Sequence, residues 1–324
     1  MRYRQLGRTE LQVSEVCLGT MTFGWSADEP TSHAIMDAAL EAGITFLDTA
    51  DVYSRWSSNS YAGKSEEIIG RWLTRQQRDR LVVATKVRAQ LSDDLADQGL
   101  SRRHIVTAVE GSLRRLQTDY IDLYQTHWPD EETPLEETLR ALDDLVRDGK
   151  VRAIGCSNSP AWYAMKALWT SDKHDLARYE SLQPHYNLVH RDEFERELLA
   201  VCQDQQLAVV PYSPLAGGFL TGKYRRGQDA PSGARGSDNK RIQRYMQQPR
   251  NFDLIDALDE IGQAHDKTVA QVALAWLIDA PAVTAPIVGA NTVAQLHDTL
   301  GAVGFTLSTE ERERIDALSD WREA

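Results

Sequence analysis

Cysteine is scarce. Among 324 residues only Cys17, Cys156 and Cys202 occur, scattered and without CxxC or Cys/His spacing. That excludes a disulfide framework and a zinc-ligand pattern, and a reducing, cytoplasmic setting is expected. Basic charge is also short: the formal net charge is −12, which argues against nucleic-acid binding because phosphate recognition needs a dominant basic surface. No run of about eighteen apolar residues occurs, and the opening MRYRQLGRTELQVSEV lacks an apolar core flanked by basic residues, so neither a membrane span nor an export signal is expected. Missing too is a GxGxxG turn after the first strand with an acidic residue ending the next, the fingerprint of a doubly wound dinucleotide fold. What is present is 42% hydrophobic and 26% charged residues, ample for a large core, and one domain over 1–324 is expected.

Short apolar runs rich in β-branched residues alternate with stretches of helical periodicity, the pattern of repeated βα units around a parallel sheet. Strands are expected at Val16–Leu18, Thr45–Asp48, Leu81–Lys86, Ile121–His127, Val151–Ser157, Ser181–Tyr186, Ala208–Tyr212 and Ala285–Val288. Helices are expected at Thr31–Ala42, Ser65–Leu73, Arg102–Leu116, Pro160–Thr170, Glu193–Gln205 and Thr268–Ala280, with two short ones near the C-terminus. Eight units fit an α/β fold of the (β/α)8 TIM-barrel type, with Arg2–Val13 turning at Gly7-Arg8 as an N-terminal β-hairpin on the barrel floor. Thr133-Pro134-Leu135-Glu136 reads as a capping box opening a helix whose Leu135, Leu139, Leu142 and Val146 form a buried stripe. Gly227–Arg250 is a long polar loop with five arginines or lysines, either a cofactor-side lid or a solvated surface insertion.

Several apolar strands end in a polar residue: Asp48 in ITFLD, Lys86 in LVVATK, His127 in IDLYQTH, Asn158 in AIGCSN, Gln183 in SLQ and Tyr212 in LAVVPY. In a barrel the C-terminal strand ends converge on one mouth, so these side chains should meet there. Singly, each has a plainer reading: a loop-capping aspartate, a solvated lysine, a packed histidine, a helix cap at Ser157-Asn158, a core tyrosine. Together, with Tyr53 five residues beyond Asp48, they suggest a catalytic site. A metal-dependent hydrolase using Asp48, His127 and His185 is an alternative, but no HxH or close ligand pair follows an early strand.

The chain resembles the aldo-keto reductases, including the branch like potassium-channel β-subunits, through FLDTADVY at 46–53, GKSEEIIGRWL at 63–73, ATKV at 84–87, THWPD at 126–130 and GCSN at 155–158. The likeness runs from LGRTELQVSEVCLGTMTFG to TVAQVALAWL. It implies an NAD(P)H-dependent oxidoreductase with a tetrad of Asp48, Tyr53, Lys86 and His127. It also implies nicotinamide contacts from Ser157, Asn158 and Gln183 with Tyr212 stacked on the ring, and further cofactor contacts at Gly19, Thr20, Met21, Asp48, Ser213, Pro214, Leu215, Gly217 and Lys223. Where many members carry a lysine-serine pair and a later arginine, this chain has Gly289, Ala290 and Gln295. NADPH is favoured over NADH, with Arg235 in the basic loop as the candidate source of the missing charge.

These roles are chemically reasonable. Carbonyl reduction leaves charge on oxygen that needs a proton and positioned donors. A tyrosine with its usual pKa of about 10 is a weak acid at neutral pH, and an adjacent ammonium lowers that value. Lys86 would do this for Tyr53, Asp48 would keep Lys86 charged, and His127 would orient the substrate oxygen. Met21, Phe23, Trp25, Trp56 and Trp128 would wall the mouth and favour a small-molecule aldehyde or ketone with an apolar or flat portion, though aromatics there also serve as barrel packing. Physiological oxidation of an alcohol or sugar, and a nucleotide-binding redox sensor, remain alternatives.

Overall fold

Gly7, at φ 59°, takes the left-handed turn that joins β1 (Tyr3–Gln5) antiparallel to β2 (Gln12–Ser14), a conformation glycine adopts without strain. The computed structural model describes residues 1–58, 60–94, 97–231 and 239–323. After the hairpin come β3 (Cys17–Gly19), α1 (Glu29–Glu41), β4 (Phe46–Asp48), α2 (Lys64–Leu73), β5 (Val82–Val87), α3 (Arg102–Leu116), β6 (Ile121–Thr126) and α4 (Leu135–Arg147). Next are β7 (Val151–Ser157), α5 (Ala161–His174), β8 (Tyr179–Gln183), a π-helical turn (Phe194–Leu198) running into α6 (Leu199–Gln205), and β9 (Ala208–Val209). The chain ends with α7 (Lys240–Met246), α8 (Pro249–His265), α9 (Val269–Ile278), β10 (Ile287–Gly289), α10 (Val293–Leu300) and α11 (Thr309–Leu318).

Strands β3 to β10 form one all-parallel sheet in the order β10-β3-β4-β5-β6-β7-β8-β9. The sheet curls until its edges meet: Val209 bridges Val283, and Ile287 N donates to Pro211 O at 2.8 Å. This is the (β/α)8 barrel with an N-terminal hairpin. One apolar cluster joins Leu6, Leu11 and Val13 of the hairpin region to the strand residues Cys17, Phe46, Ala84, Leu123, Ala153, Val210 and Ile287. A larger one lies between the strands and the helices. Two clusters follow from the two-residue period of a strand, which sends alternate side chains inward and outward. No helix among the described residues is long and apolar enough to cross a membrane.

Several boundaries depart from the sequence expectation, mostly at proline. The eighth, ninth and tenth strands are shorter than expected because Pro184, Pro211 and Pro286 have no N–H to give a ladder. The Thr133 capping box does not form: α4 starts from Pro134 with no side-chain cap, and Thr133 Oγ1 donates instead to Asp130 Oδ2 at 2.8 Å. Capping boxes are found at Thr268 with Gln271 and at Ser308 with Glu311. The segment Gly227–Arg250 is not wholly a loop, since it contains α7, whose start Asn239 caps. Helix α8 was not anticipated, although Pro249 at its first position and Leu254, Ile255, Leu258 and Ile261 at helical spacing mark it.

Gly70 sets how closely α2 approaches α3. A Cβ there would lie 2.0 Å from the backbone oxygen of Arg115, so the two helices would have to part. Helix propensity alone would favour alanine over glycine by up to about 1 kcal/mol, so the sign of the change is informative. Gly70→Ala is expected to destabilise the fold by about 1–3 kcal/mol through overpacking, read as a lower urea midpoint. A midpoint unchanged or raised would contradict this packing.

Candidate functional site

Inward-facing positions decide what the barrel mouth contains. Two residues above the apolar layer of Phe46, Ala84, Leu123 and Val210, the same faces carry Asp48, Lys86, Gln125 and Tyr212. The register sets Lys86 opposite Gln125, and Ser157 opposite Gln183. Strand pairing therefore stacks a polar layer on the apolar one at the C-terminal end of the barrel.

Lys86 and Asp48 are the centre of that layer, with side-chain exposures of 0% and 2%. Lys86 Nζ donates to Asp48 Oδ1 at 2.6 Å, to the Thr49 carbonyl at 2.8 Å and to Tyr53 Oη at 3.0 Å. The other carboxylate oxygen, Oδ2, accepts from Gln183 Nε2 at 2.8 Å and Gln125 Nε2 at 3.3 Å. Burial works against the ammonium, but Asp48 and Tyr53 outweigh it and hold the Lys86 pKa above its ordinary value. For half-buried Tyr53, burial raises the pKa more than Lys86 lowers it, so the net direction is up. The expected influence of the lysine is present, but in the free protein it is the smaller effect.

His127 joins this group from the end of β6, where its N–H bonds Val87 O at 2.9 Å. Its ring packs edge-on to Tyr53 at 6.1 Å and stacks on Trp128 at 3.9 Å. Burial first, then the charges of Lys86 and Arg88, push its pKa well below the usual histidine value, so the imidazole is neutral at neutral pH. Trp56 contacts Tyr53 on one side and Trp25 on the other. Trp25, Trp56, Trp128 and Met21 are all exposed at the mouth, whereas Phe23 is fully buried. Phe23 thus belongs to the core and not to the aromatic wall, and Ser54, which donates to its carbonyl at 2.6 Å, ties the Tyr53 loop down.

The sequence reading missed the residues that brace this layer. Gln125, two positions before His127 and inside β6, is not singled out by any local signal. Ser65 and Glu66, at the start of α2, are fully buried. Ser65 Oγ donates to Thr20 O at 2.9 Å and lies 3.0 Å from Thr49 Oγ1. Glu66 accepts from Thr85 Oγ1 at 2.6 Å and pairs with Arg115 at 2.7 Å. These bonds pin the helix to the ends of β3, β4 and β5, on which the site residues ride. Nearby Asp51 is buried without a hydrogen-bond partner among the described residues, and burial, then Glu66, raises its pKa well above the carboxylate range.

On the other side of the mouth, Tyr212 Oη donates to Asn158 Oδ1 at 2.8 Å while Asn158 Nδ2 donates to His127 O at 2.9 Å. Ser157 Oγ donates to Gln183 O at 2.8 Å. The strand-end polar residues therefore meet as expected, and Ser157 and Asn158 do not cap α5, which starts from Pro160 with no side-chain cap. One face of Tyr212 stacks on His185, which in turn stacks on His190. Asp48, His127 and His185 do not assemble as a metal site: Asp48 is bonded to Lys86, His185 lies in this ring stack, and the described residues hold no group of three His, Cys, Asp or Glu arranged for an ion.

Beyond Tyr212 the backbone is left-handed at Ser213, Ala216, Gly217, Gly218 and Gly222, with Pro214 and Leu215 between. A Cβ on Gly218 would lie 3.2 Å from Lys223 Nζ, so the lysine borders this turn. Gly19 and Gly289 face each other across β3 and β10. Both lack side chains where those strands reach the mouth, and a Cβ on Gly19 would lie 2.5 Å from Ile287 Cγ2. Thr20 bonds Asp48 O through its hydroxyl at 2.9 Å. Gln295 Oε1 accepts from Asn291 N at 2.8 Å, at the start of α10. Arg235 lies outside the described residues. In the same segment Arg241, exposed on α7, is near enough for its charge to act on Tyr212 and His185.

Likeness to known proteins extends across the chain. Residues 15–320 match the model of the aldo/keto reductase family. The chain is 43% identical to the Bacillus subtilis protein named uncharacterized oxidoreductase YrpG, covering 96% of this chain and 93% of that one. It is 36% identical to protein tas of Escherichia coli, over 98% and 97% of the two chains. It is 35% identical to the versiconal hemiacetal acetate reductase of Aspergillus parasiticus, over 98% and 96%.

The ring stack makes a prediction about pH. Burial, then His190 and Arg241, lowers the His185 pKa to about 3. Below the unfolded value of about 6.5, the unfolded chain binds a proton that the folded chain refuses. Stability is therefore lost as pH falls from about 6.5 towards about 3, by about 2 kcal/mol at pH 5 from this residue. Urea unfolding at pH 7.5 and pH 5 is expected to show that loss in the wild type and a smaller one in His185→Gln. Equal losses in the two proteins would contradict the buried, neutral His185.

Proposed function

Because the chain belongs to the aldo/keto reductase family, we propose that it is an NADPH-dependent reductase of aldehydes and ketones. The observation that carries this reading is the lysine ammonium bonded at once to Asp48, Thr49 O and Tyr53 Oη, beside a neutral histidine. That arrangement suits delivery of a proton to an oxygen on which charge is developing.

The residues present fit a nicotinamide dinucleotide. Gly19 and Gly289 leave the seam between β3 and β10 without side chains at the mouth, and the left-handed turn over 216–218 keeps backbone open beside Lys223. Successive amides in such a turn form a concave anion site. Tyr212 has one face on His185, leaving its other face for a planar ring, and Asn158 and Gln183 supply amides beside it. Thr20, Met21, Ser157, Ser213, Pro214, Leu215 and Gln295 line the rest of this path. Cations at Lys223 and Arg241 favour the phosphorylated cofactor, with Arg235 as a further candidate.

When bound, the reduced nicotinamide supplies the hydride to the carbonyl carbon and is left oxidised. Tyr53 donates its proton to the carbonyl oxygen. Lys86, held charged by Asp48, stabilises the phenolate that remains and offsets the burial that makes Tyr53 a weaker acid. His127 directs one N–H of its neutral ring towards the substrate oxygen. Trp25, Trp56 and Trp128 hold the apolar or flat part of the substrate and keep water from the reacting atoms.

Tyr53→Phe tests this reading, since it removes the proton donor and little bulk. With an aldehyde substrate, kcat is expected to fall by about 10²–10⁴-fold, while NADPH still binds, as read by quenching of tryptophan fluorescence. A variant that keeps most of its kcat would remove Tyr53 from the proton-donor role, and quenching by NADH but not by NADPH would reverse the cofactor preference.

A further inference from the structure

Arg88 follows Val87, the last residue of β5, two residues beyond Lys86. Val87 O accepts the His127 amide, which sets Arg88 next to the histidine. Its backbone lies at φ 119°, a region that non-glycine residues avoid and that persists where the surrounding structure imposes it, often at functional sites. The fold holds it there by a bond from Gly99 N to Arg88 O at 2.9 Å. The side chain is partly buried, and its Nε is sealed from solvent with no hydrogen-bond partner among the described residues.

Two cations close to Arg88 have counterions. Lys86 is paired with Asp48, and Arg55 with Asp93 at 3.6 Å. Among the described residues no carboxylate lies within ion-pairing distance of Arg88. Asp130, on which its charge acts, already accepts from Leu100 N at 2.7 Å, Thr133 Oγ1 at 2.8 Å and Glu132 N at 3.1 Å. With His127 neutral, the guanidinium is a positive charge without a paired carboxylate, close enough to act on His127, whose ring stacks on Trp128.

We propose that Arg88 determines substrate preference, and that the carbonyl compounds this chain turns over best carry a carboxylate beside an aromatic or flat portion. A planar guanidinium matches a carboxylate through paired N–H donors, and a single cation suits a monoanion better than a phosphate. This rests on the carbonyl-reductase reading, and Arg88 adds the charge selection that the tetrad does not provide.

The test compares 4-carboxybenzaldehyde with its methyl ester as substrates of the wild type, Arg88→Gln and Arg88→Lys. The wild type is expected to favour the acid. In Arg88→Gln the acid-to-ester ratio of kcat/KM should fall by about tenfold or more, the loss of one charge-assisted pairing, mainly through KM. Arg88→Lys should retain an intermediate ratio, which a general loss of folding would not produce. No preference in the wild type, or a ratio unchanged in Arg88→Gln, would overturn the proposal. If neither aldehyde is reduced, the carbonyl-reductase reading is what fails. Calorimetry with 4-(hydroxymethyl)benzoate then decides the anion site: binding lost in Arg88→Gln supports it, and equal or absent binding overturns it.

Discussion

The mouth of this barrel depends on one buried ion pair. Removing an ammonium and a carboxylate from water is costly, and only close geometry with further hydrogen bonds compensates for it. Lys86 and Asp48 meet both conditions. All three Lys86 N–H directions have acceptors, and the second Asp48 oxygen is held by Gln183 and Gln125. Because the pair is fixed on two strands, the third acceptor, Tyr53 Oη, is fixed as well, and the phenol of a loop residue is placed as firmly as if it stood on the sheet.

The rest of the architecture protects that geometry. The apolar plug of Leu6, Leu11, Val13 and Phe46 fills the barrel below the pair, so water does not reach it from the floor. Ser65 and Glu66 fasten α2 to the strand ends from outside. The loops above carry Trp25, Trp56 and Arg88 around the opening. A barrel divides its labour this way, with stability below and specificity in the βα loops. Tyr53 shows the tension in the design: enclosure that excludes water also makes its phenol a weaker acid, and the lysine offsets part of that cost.

Much of this was legible in the sequence because strand period and barrel closure are simple rules. Polar residues ending apolar runs marked Asp48, Lys86, His127, Asn158, Gln183 and Tyr212, and the structure brings all six to one mouth. Less legible were features that depend on three-dimensional neighbours. Gln125 looked like one polar residue inside a strand, and only the register opposite Lys86 gives it a place. Nothing local marks Glu66 as buried, because its partners Arg115 and Thr85 are distant in sequence. Phe23 sits in an aromatic-rich stretch, and nothing local distinguishes it from exposed Trp25. The capping box at Thr133 failed because Asp130 competes for the hydroxyl, whereas α8 carried ordinary signals that the polar stretch before it obscured.

In the proposed reaction a charged Lys86, held by Asp48, makes Tyr53 an effective acid. The most direct measurement is the pH dependence of kcat/KM for aldehyde reduction in the wild type and Lys86→Met. A steep loss of activity is expected in the variant, with the remaining profile displaced because the phenol no longer has an ammonium 3.0 Å away. A Lys86→Met enzyme with near-normal activity and an unchanged profile would contradict it.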